Sequence, residues 1–226
     1  MELQTRKFSL IGKVHESLVF GRRVRVLARH LAALIPARAR ILDIGCGDGM
    51  IDRLIMEQRP DVSIEGIDPL VRPSTHIPVR SFDGERIPHS DSSFDAVMFV
   101  DVLHHTSNPL LLLREAVRVG RMILIKDHLR NGLLAGTTLG LMDWIGNARH
   151  RVVLPYNYLS KSEWEAAFDD LGLRANHMNL SLGLYPPPLS WIFERGLHFV
   201  ASFDQAPPLS PENFRSLDRW RTSFGS

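Results

Sequence analysis

The stretch "RILDIGCGDGM", Arg40 to Met50, decides the fold class of this chain. In it an apolar run breaks into three glycines within five positions, at Gly45, Gly47 and Gly49. A buried strand that ends in a glycine-rich turn, with a helix after the turn, is typical of nucleotide-binding α/β folds. We therefore expect a nucleotide-like ligand at this turn.

Short apolar runs and helical patterns alternate on the carboxyl side of this stretch. The runs after "RILDI" are "VSIEGID", "IPVRSF", "FDAVMFV" and "RMILIKD". Apolar strands that alternate with helices indicate a parallel sheet covered on both faces. We predict an α/β fold with a doubly wound, Rossmann-like, mostly parallel sheet, helices on both faces, and an antiparallel late strand among "RANHMNL" and "LHFVASF". Ligands of such a sheet bind beyond the carboxyl ends of its strands.

Three features indicate helices outside the central pattern. An amphipathic helix is predicted from about His15 to Ile35, where Pro36 ends it. "LSKSEWEAAFDDLGL" has a serine and, three residues later, a glutamate, which form a capping box. "LLAGTTLGLMDWI" is predicted to form a helix with one shared face, made of Leu134, Thr138, Leu141 and Ile145.

The composition indicates one ordinary globular domain. The chain has 226 residues, of which 44% are hydrophobic and 23% are charged, and its net charge is +2. We expect a single domain over residues 1–205, with a helical extension at 1–36 and a tail at 206–226. Residues 128–160 and 180–195 are expected to cap a substrate site.

Cysteine usage and hydropathy point to the cytoplasm. Cys46 is the only cysteine, so the chain can form no internal disulfide. We expect neither a signal peptide nor a transmembrane segment, because no apolar run has the required length. We also expect no metal site.

Charge discriminates between the ligands of a glycine turn. The dinucleotide pattern G-x-G-x-x-G fails at Met50, and no P-loop lysine follows. Asp43 and Asp48 flank the turn, and each would repel a pyrophosphate by about 1–4 kcal/mol at 4 Å in partly hydrated surroundings. S-adenosylmethionine carries a sulfonium and an ammonium group, so the acids suit it. Asp68, at the end of the second strand, is placed to bind ribose hydroxyls.

Four successive motifs carry a resemblance to a known family. "ILDIGCGDG", "EGIDP", "FDGERIPHSDSSFDAVMFVDVLHH" and "EAVRVGRMILIKD" resemble the motifs of class I S-adenosylmethionine-dependent methyltransferases. The similarity is to the small-molecule branch called type 11, and it covers about Arg38 to Asp127. It implies S-adenosylmethionine as the cofactor and does not specify the acceptor.

The resemblance implies roles for particular residues. It places Asp68, with Pro69 after it, at the ribose, Phe82 and Asp83 beside the adenine, and Asp101 at the floor of the active site. It places five residues of the glycine turn around the methionine moiety: Asp43, Gly45, Cys46, Gly47 and Gly49. Phe82 is also explained as a core residue, and Asp83 as a turn former before a glycine.

Histidines at the strand ends are candidate general bases. His104 and His105 follow the fourth strand, and His128 ends the fifth. A histidine near its ordinary pKa of about 6.5 suits the deprotonation of a phenol or a carbon acid. We expect His128 to be the base, with His105 as the other candidate, and His104 is also explained by packing.

We predict an enzyme that methylates oxygen or carbon of a small, largely apolar acceptor, aromatic or lipid-like. The Asn-Pro-Pro-Tyr motif of adenine methylation is missing, and the lone Cys46 lies in the cofactor turn, which excludes a cysteine nucleophile for cytosine. One alternative is RNA modification: no strongly basic stripe with interleaved aromatics is present, but the arginine cluster from Arg22 to Arg29 keeps this alternative open. Another is a non-catalytic cofactor-binding protein that acts through protein association. The sequence leaves the oligomeric state open.

Overall fold

The described part of the chain is built on one mixed sheet of seven strands. The structure is a computed structural model, and it describes residues 21–147 and 157–205. The strand order is β3-β2-β1-β4-β5-β7-β6. The strands are β1 (Arg40–Ile44), β2 (Ser63–Asp68), β3 (Val79–Ser81), β4 (Phe94–Val100), β5 (Gly120–His128), β6 (Leu173–Asn179) and β7 (His198–Gln205).

Six of the seven strands run in the same direction, and β7, between β5 and β6, runs in the opposite direction. β1 pairs in parallel with β2 and with β4, β2 pairs with β3, and β4 pairs with β5. β7 runs antiparallel to both β5 and β6, and its register places His198 opposite His128. The predicted doubly wound, mostly parallel sheet with an antiparallel late strand is confirmed, and that strand is β7.

Helices cover both faces of the sheet. Their bounds are α1 (Gly21–Leu34), α2 (Met50–Gln58), α3 (Pro109–Val119), α4 (Ala135–Asn147), α5 (Lys161–Asp170) and the short α6 (Ser190–Phe193). Ile41 in β1 packs with α1 and α2 on one face. Leu42 and Ile44 face the other way and pack in a core with α3 and α5. This alternation is expected for a strand that is buried on both sides.

Capping side chains fix the starts of two helices. Asn108 precedes α3, its side chain accepts a hydrogen bond from the N–H of Leu111, and Pro109 is the first helical residue. Ser160 and Glu163 form the predicted capping box of α5, with both reciprocal hydrogen bonds present. These caps satisfy N–H groups that have no partner within a helix.

The orientation of α4 differs from what its sequence suggests. Leu134 lies just before the helix with a φ of 61°, and it and Leu141 are exposed. Ala135 and Leu139 are buried instead. The segment becomes helical only at Ala135, because Leu134 takes a left-handed conformation, and Leu134 and Leu141 of the predicted face are exposed rather than packed on the core.

Several predictions fall on residues that the structure does not describe. The amino-terminal part of the predicted helix, from His15 to residue 20, lies outside the described residues, as do the tail 206–226 and residues 148–156 of the predicted cap. Within 21–147 and 157–205, none of the helices has both the length and the apolar character needed to cross a membrane.

Candidate active site

The glycine turn joins β1 to α2 at the carboxyl edge of the sheet. Gly45, Gly47 and Gly49 have φ angles of 74°, 61° and 74°, which residues with a β-carbon adopt only at a cost. A β-carbon on Gly45 would lie 2.6 Å from a methyl carbon of Val102, and one on Gly49 would collide with Ile77. A β-carbon on Gly47 would meet no atom within 4 Å. Packing therefore accounts for two of the glycines, and Gly47 faces open space that a ligand can occupy.

Asp68 ties the end of β2 to this turn. Its Oδ2 accepts a hydrogen bond of 2.9 Å from the N–H of Gly47, and its Oδ1 accepts one of 2.7 Å from the N–H of Leu70. Pro69 follows on the surface, and a β-carbon on Gly84 would lie 3.6 Å from its Cγ. The loop after β3 is thereby brought beside the end of β2.

Phe82 and Asp83 lie in this loop. Phe82 is half-buried and packs against the core that contains α3 and α5. Asp83 is exposed, and its Oδ1 accepts hydrogen bonds of 2.8 Å each from the N–H groups of Glu85 and Arg86. Both bonds lower the pKa of the Asp83 carboxyl, and the bond from Glu85 has the larger effect. Asp83 thus stabilises its own turn, at the side of the sheet where the sequence predicts the adenine.

Two buried acids lie beside the glycine turn. Asp43 in β1 is 2% exposed, and Asp52 in the first turn of α2 is completely buried. The two carboxyl groups are close enough for each to act on the pKa of the other, and no donor among the described residues reaches Asp43 Oδ1 or either oxygen of Asp52. Burial, followed by the neighbouring carboxyl, raises the pKa of Asp43 well above its ordinary value. Burial raises the pKa of Asp52 to about 7.

Cys46 fills a packing position in the same turn. Its Sγ occupies the space that a β-carbon on Gly66 would need. Burial, and then the negative charge of Asp43, raises the pKa of the Cys46 thiol well above its ordinary value. The thiol is therefore protonated at neutral pH, and only a thiolate is an effective nucleophile.

Asp101 stands at the carboxyl end of β4 in a network of opposite charges. Its φ is 58°, a conformation that aspartate tolerates better than most residues. Arg23 Nη2 lies 2.5 Å from its Oδ2, and the fully buried Lys126 donates to its Oδ1. Burial alone would raise the pKa of Asp101, but Lys126 and then Arg23 hold it well below its ordinary value. Asp101 is therefore an ionised and ion-paired group.

The completely buried Asp127 organises two histidines. Its Oδ1 lies 2.6 Å from His104 Nδ1 and accepts a hydrogen bond of 2.7 Å from the N–H of His128. Its Oδ2 accepts one of 3.0 Å from the N–H of Leu103. His104, Asp127 and His128 offer ligand atoms within 4.8 Å of one another, a separation that a metal could bridge. The hydrogen bonds of Asp127 account for this arrangement without one.

His128 is buried between the two acids. Its Nδ1 lies 3.4 Å from Asp127 Oδ1 and 3.6 Å from Asp101 Oδ1. Burial, followed by the positive Lys126, lowers the pKa of His128 to about 4. His105, in the 3₁₀ turn Leu103–His105, is by contrast partly exposed.

Comparison with known proteins agrees with this geometry. A family model described as a methyltransferase domain matches residues 19–177, more than half of the chain. The chain belongs to the methyltransferase domain family. The cofactor of this family is S-adenosylmethionine, so the predictions of family, fold class and cofactor are confirmed.

Three relatives differ in their sequence identity to this chain and in the share of each chain that the match covers. The 27-O-demethylrifamycin SV methyltransferase of Amycolatopsis mediterranei is 32% identical over 110 residues, which are 42% of this chain and 40% of that protein. The chain thus matches less than half the length of this relative. A structure of an S-adenosylmethionine-dependent methyltransferase from Mesorhizobium loti has a TM-score of 0.59 at 17% identity and covers 78% of this chain and 96% of that one. The mitomycin 7-O-methyltransferase MmcR has a TM-score of 0.57 at 19% identity, over 89% of this chain and 58% of that one.

The candidate site fits S-adenosylmethionine at two observed features. Gly47 leaves open space at the turn, and Asp43 keeps a buried oxygen without a donor. An acid without a donor suits a ligand that brings positive charge. Asp43, Asp68 and the glycine turn lie together, with Pro69, Phe82 and Asp83 beside the end of β2, and Asp101 lies at the end of β4 in the central part of the sheet.

Tyr158 connects the histidines with the buried side of α4. Tyr158 stacks on His104 with ring centroids 5.3 Å apart, and it packs in a small core with the buried face of α4. α4 also lies against α6. We call the exposed side chains of this region the apolar surface; they are Leu133, Leu134, Leu141, Trp191 and Ile192.

Four residues of the site were not predicted from the sequence. Arg23, Asp52, Tyr158 and His198 make contacts that depend on tertiary structure. For two of them, Arg23 and Asp52, spacing was an available signal: Arg23 lies four residues before the buried Leu27, and Asp52 lies three residues before the buried Ile55. Each polar residue therefore falls on the inner face of an amphipathic helix.

Acidification tests the burial of His128. Its pKa is about 4 in the folded state and ordinarily 6.5, so between these values the unfolded chain binds more protons and stability falls as the pH falls. This one histidine accounts for a loss of about 2 kcal/mol between pH 7 and pH 5. In urea unfolding, His128→Asn should lose that much less stability over this range than the wild type. The exposed His177→Asn should keep the wild-type dependence, and an unchanged dependence in His128→Asn would contradict the burial.

Proposed function

We propose that this protein transfers a methyl group from S-adenosylmethionine to an oxygen of a small, largely apolar acceptor. The observation that carries the proposal is the donor-free Asp43 oxygen beside the open Gly47, at the same sheet edge as the histidines. S-adenosylmethionine supplies the methyl group when bound. The relative that acts on 27-O-demethylrifamycin SV supports an oxygen acceptor over carbon.

We assign the parts of the cofactor to residues at the carboxyl ends of successive strands. We assign the methionine moiety to Asp43 and the glycine turn from Gly45 to Gly49, which includes Cys46. We assign the ribose to Asp68 and Pro69, and the adenine side to Phe82 and Asp83. Asp101, held between Arg23 and Lys126, fixes the position of the floor below the acceptor.

The apolar surface supports an aromatic or lipid-like acceptor. Its side chains come from residues 128–160 and 180–195, the two segments expected to cap the site. Small-molecule sites are lined mainly by apolar groups with few polar ones. Tyr158 packs on the buried side of α4 and stacks on His104, so α4 is attached to the turn that carries the histidines.

The general base in this proposal is His105 rather than His128. His128 is 2% exposed, and its pKa of about 4 makes it a weak base. His105 is partly exposed and lies four residues after Asp101. His104 and His128 then act as positioning residues, held by Asp127, which support the turn that carries His105.

Gly47→Ala tests the binding step. The new methyl group would enter the open space at the turn, so we expect S-adenosylmethionine affinity to fall about 10–100-fold, corresponding to an overpacking cost of 1–3 kcal/mol. Gly172→Ala is the matched control, because its φ of 62° nearly equals that of Gly47 and its β-carbon also meets no atom within 4 Å. Both variants should lose similar stability in thermal unfolding. Titration calorimetry should show the loss of affinity in Gly47→Ala alone, and equal affinities would place the cofactor elsewhere.

Methyl transfer itself is tested with S-adenosylmethionine labelled in its methyl group. We expect label to appear in phenols or hydroquinones as methyl ethers, identified by mass spectrometry. A protein that binds the cofactor but labels none of the acceptors, and instead retains a protein partner, would favour the non-catalytic alternative. Label in RNA would favour RNA modification.

A further inference from the structure

The closeness of the Asp43 and Asp52 carboxyl groups presents an electrostatic problem. Both carboxyl groups are buried, and neither Asp52 oxygen nor Asp43 Oδ1 has a hydrogen-bond donor among the described residues. Two carboxyl groups so close together cannot both ionise at low cost in a buried place. One of them must hold a proton, or a cation must lie beside them.

The surroundings of the acid pair, Asp43 and Asp52, add negative rather than positive charge. Asp68 acts on Asp43, and Asp48 acts on Asp52, and both contributions favour the protonated forms. The remaining titratable neighbour, Cys46, has a thiol whose pKa is raised and which stays neutral. The buried cation Lys126 pairs with Asp101 instead. In the free protein the negative charge of the acid pair is therefore compensated by a bound proton. In the complex the positive charge of the family's cofactor would compensate it.

We propose that Asp43 and Asp52 share one proton in the free protein and release it to solvent when the cationic cofactor binds. This inference rests on the proposed function, because it takes S-adenosylmethionine as the ligand. Asp52 is then a cofactor-specificity residue, since the acid pair favours a ligand with a positive charge over a neutral or anionic nucleotide.

Proton release has a direct consequence for affinity. Binding coupled to the loss of one proton strengthens as the pH rises, by up to about tenfold in Kd per pH unit while the acid pair is protonated. The affinity for S-adenosylmethionine should therefore increase from pH 6 to pH 8. The demethylated product, which lacks the sulfonium charge, should release fewer protons.

Calorimetric titration in two buffers of different ionisation enthalpy counts the released protons. At pH 7 the wild type should release about one proton per bound S-adenosylmethionine, and Asp52→Asn about none, because the amide can donate to an ionised Asp43. Asp170→Asn removes an exposed carboxylate outside the glycine turn, so it should release about as many protons as the wild type. The amino group of the ligand is common to all titrations, and differences between variants therefore report on the protein.

The outcomes separate this inference from the proposed function. Absence of any binding heat in the wild type would overturn both. Binding without proton release, or equal release in the wild type and Asp52→Asn, would overturn the shared proton and leave the cofactor assignment standing. Without ligand, the melting temperature of the wild type should fall more steeply than that of Asp52→Asn as the pH rises from 4 towards 7, because the folded acid pair keeps a proton that the unfolded chain loses. Parallel curves would also overturn the shared proton.

Discussion

His105→Ala is expected to lower kcat by about 10²–10⁴-fold, the usual contribution of a general base. Removal of the imidazole leaves the acceptor hydroxyl without a group that takes its proton. His105 is not among the residues that we assign to the cofactor, so the Kd for S-adenosylmethionine should change little. Single-turnover kinetics with labelled cofactor, together with calorimetry, measure the two effects separately.

The pH profile distinguishes a base from a structural residue at this position. With His105 as the base, kcat should rise with pH up to the pKa of the imidazole, and His105→Ala should abolish this limb of the profile. His177→Ala is the control, because it removes an exposed histidine in β6. If His128→Asn removes the limb and His105→Ala does not, then His128 is the base, as the sequence alone suggested.

The strands and the glycine turn were predictable from sequence because local chemistry determines them. "RILDI" and "FDAVMFV" are apolar runs that only a sheet with two covered faces can bury. The three glycines were recognisable because their positive φ angles exclude most other residues. The Ser160–Glu163 capping box likewise depends on residues three positions apart. Such features need no knowledge of distant contacts.

The network around Asp101 was predictable only in part. The strand-end positions of Asp101 and His128 follow from the parallel sheet, since carboxyl ends of neighbouring strands meet at one edge. Their ionisation states do not follow, because burial and neighbours set them. Arg23, from a helix 78 residues away in sequence, supplies one of the charges. His198 reaches Lys126 only because β7 turns antiparallel to β5.

Asp101→Asn should destabilise the protein by about 3–5 kcal/mol, the cost of breaking a buried ion pair. Asparagine keeps the size of the side chain and tolerates the φ of 58°. The loss of stability therefore measures the effect of removing the negative charge. Lys126 is completely buried, and without Asp101 it must either remain charged without its anion or lose its proton. Burial already lowers the pKa of Lys126, and Asp101 opposes this effect.

A double variant shows whether the loss arises from the pair. Lys126→Met replaces the buried cation by an apolar side chain of similar length, and buried pairs can often be replaced in this way with little loss. Asp101→Asn combined with Lys126→Met should therefore be more stable than Asp101→Asn alone in urea unfolding. Asp170→Asn is the control for an exposed pair, because Asp170 and Arg114 are both more than half exposed, and it should cost less than about 1 kcal/mol. A loss in Asp101→Asn no larger than in Asp170→Asn would show that the pair at the active-site floor does not stabilise the fold. A large loss that Lys126→Met does not restore would instead assign the stabilisation to Arg23, which reaches the same carboxylate from α1.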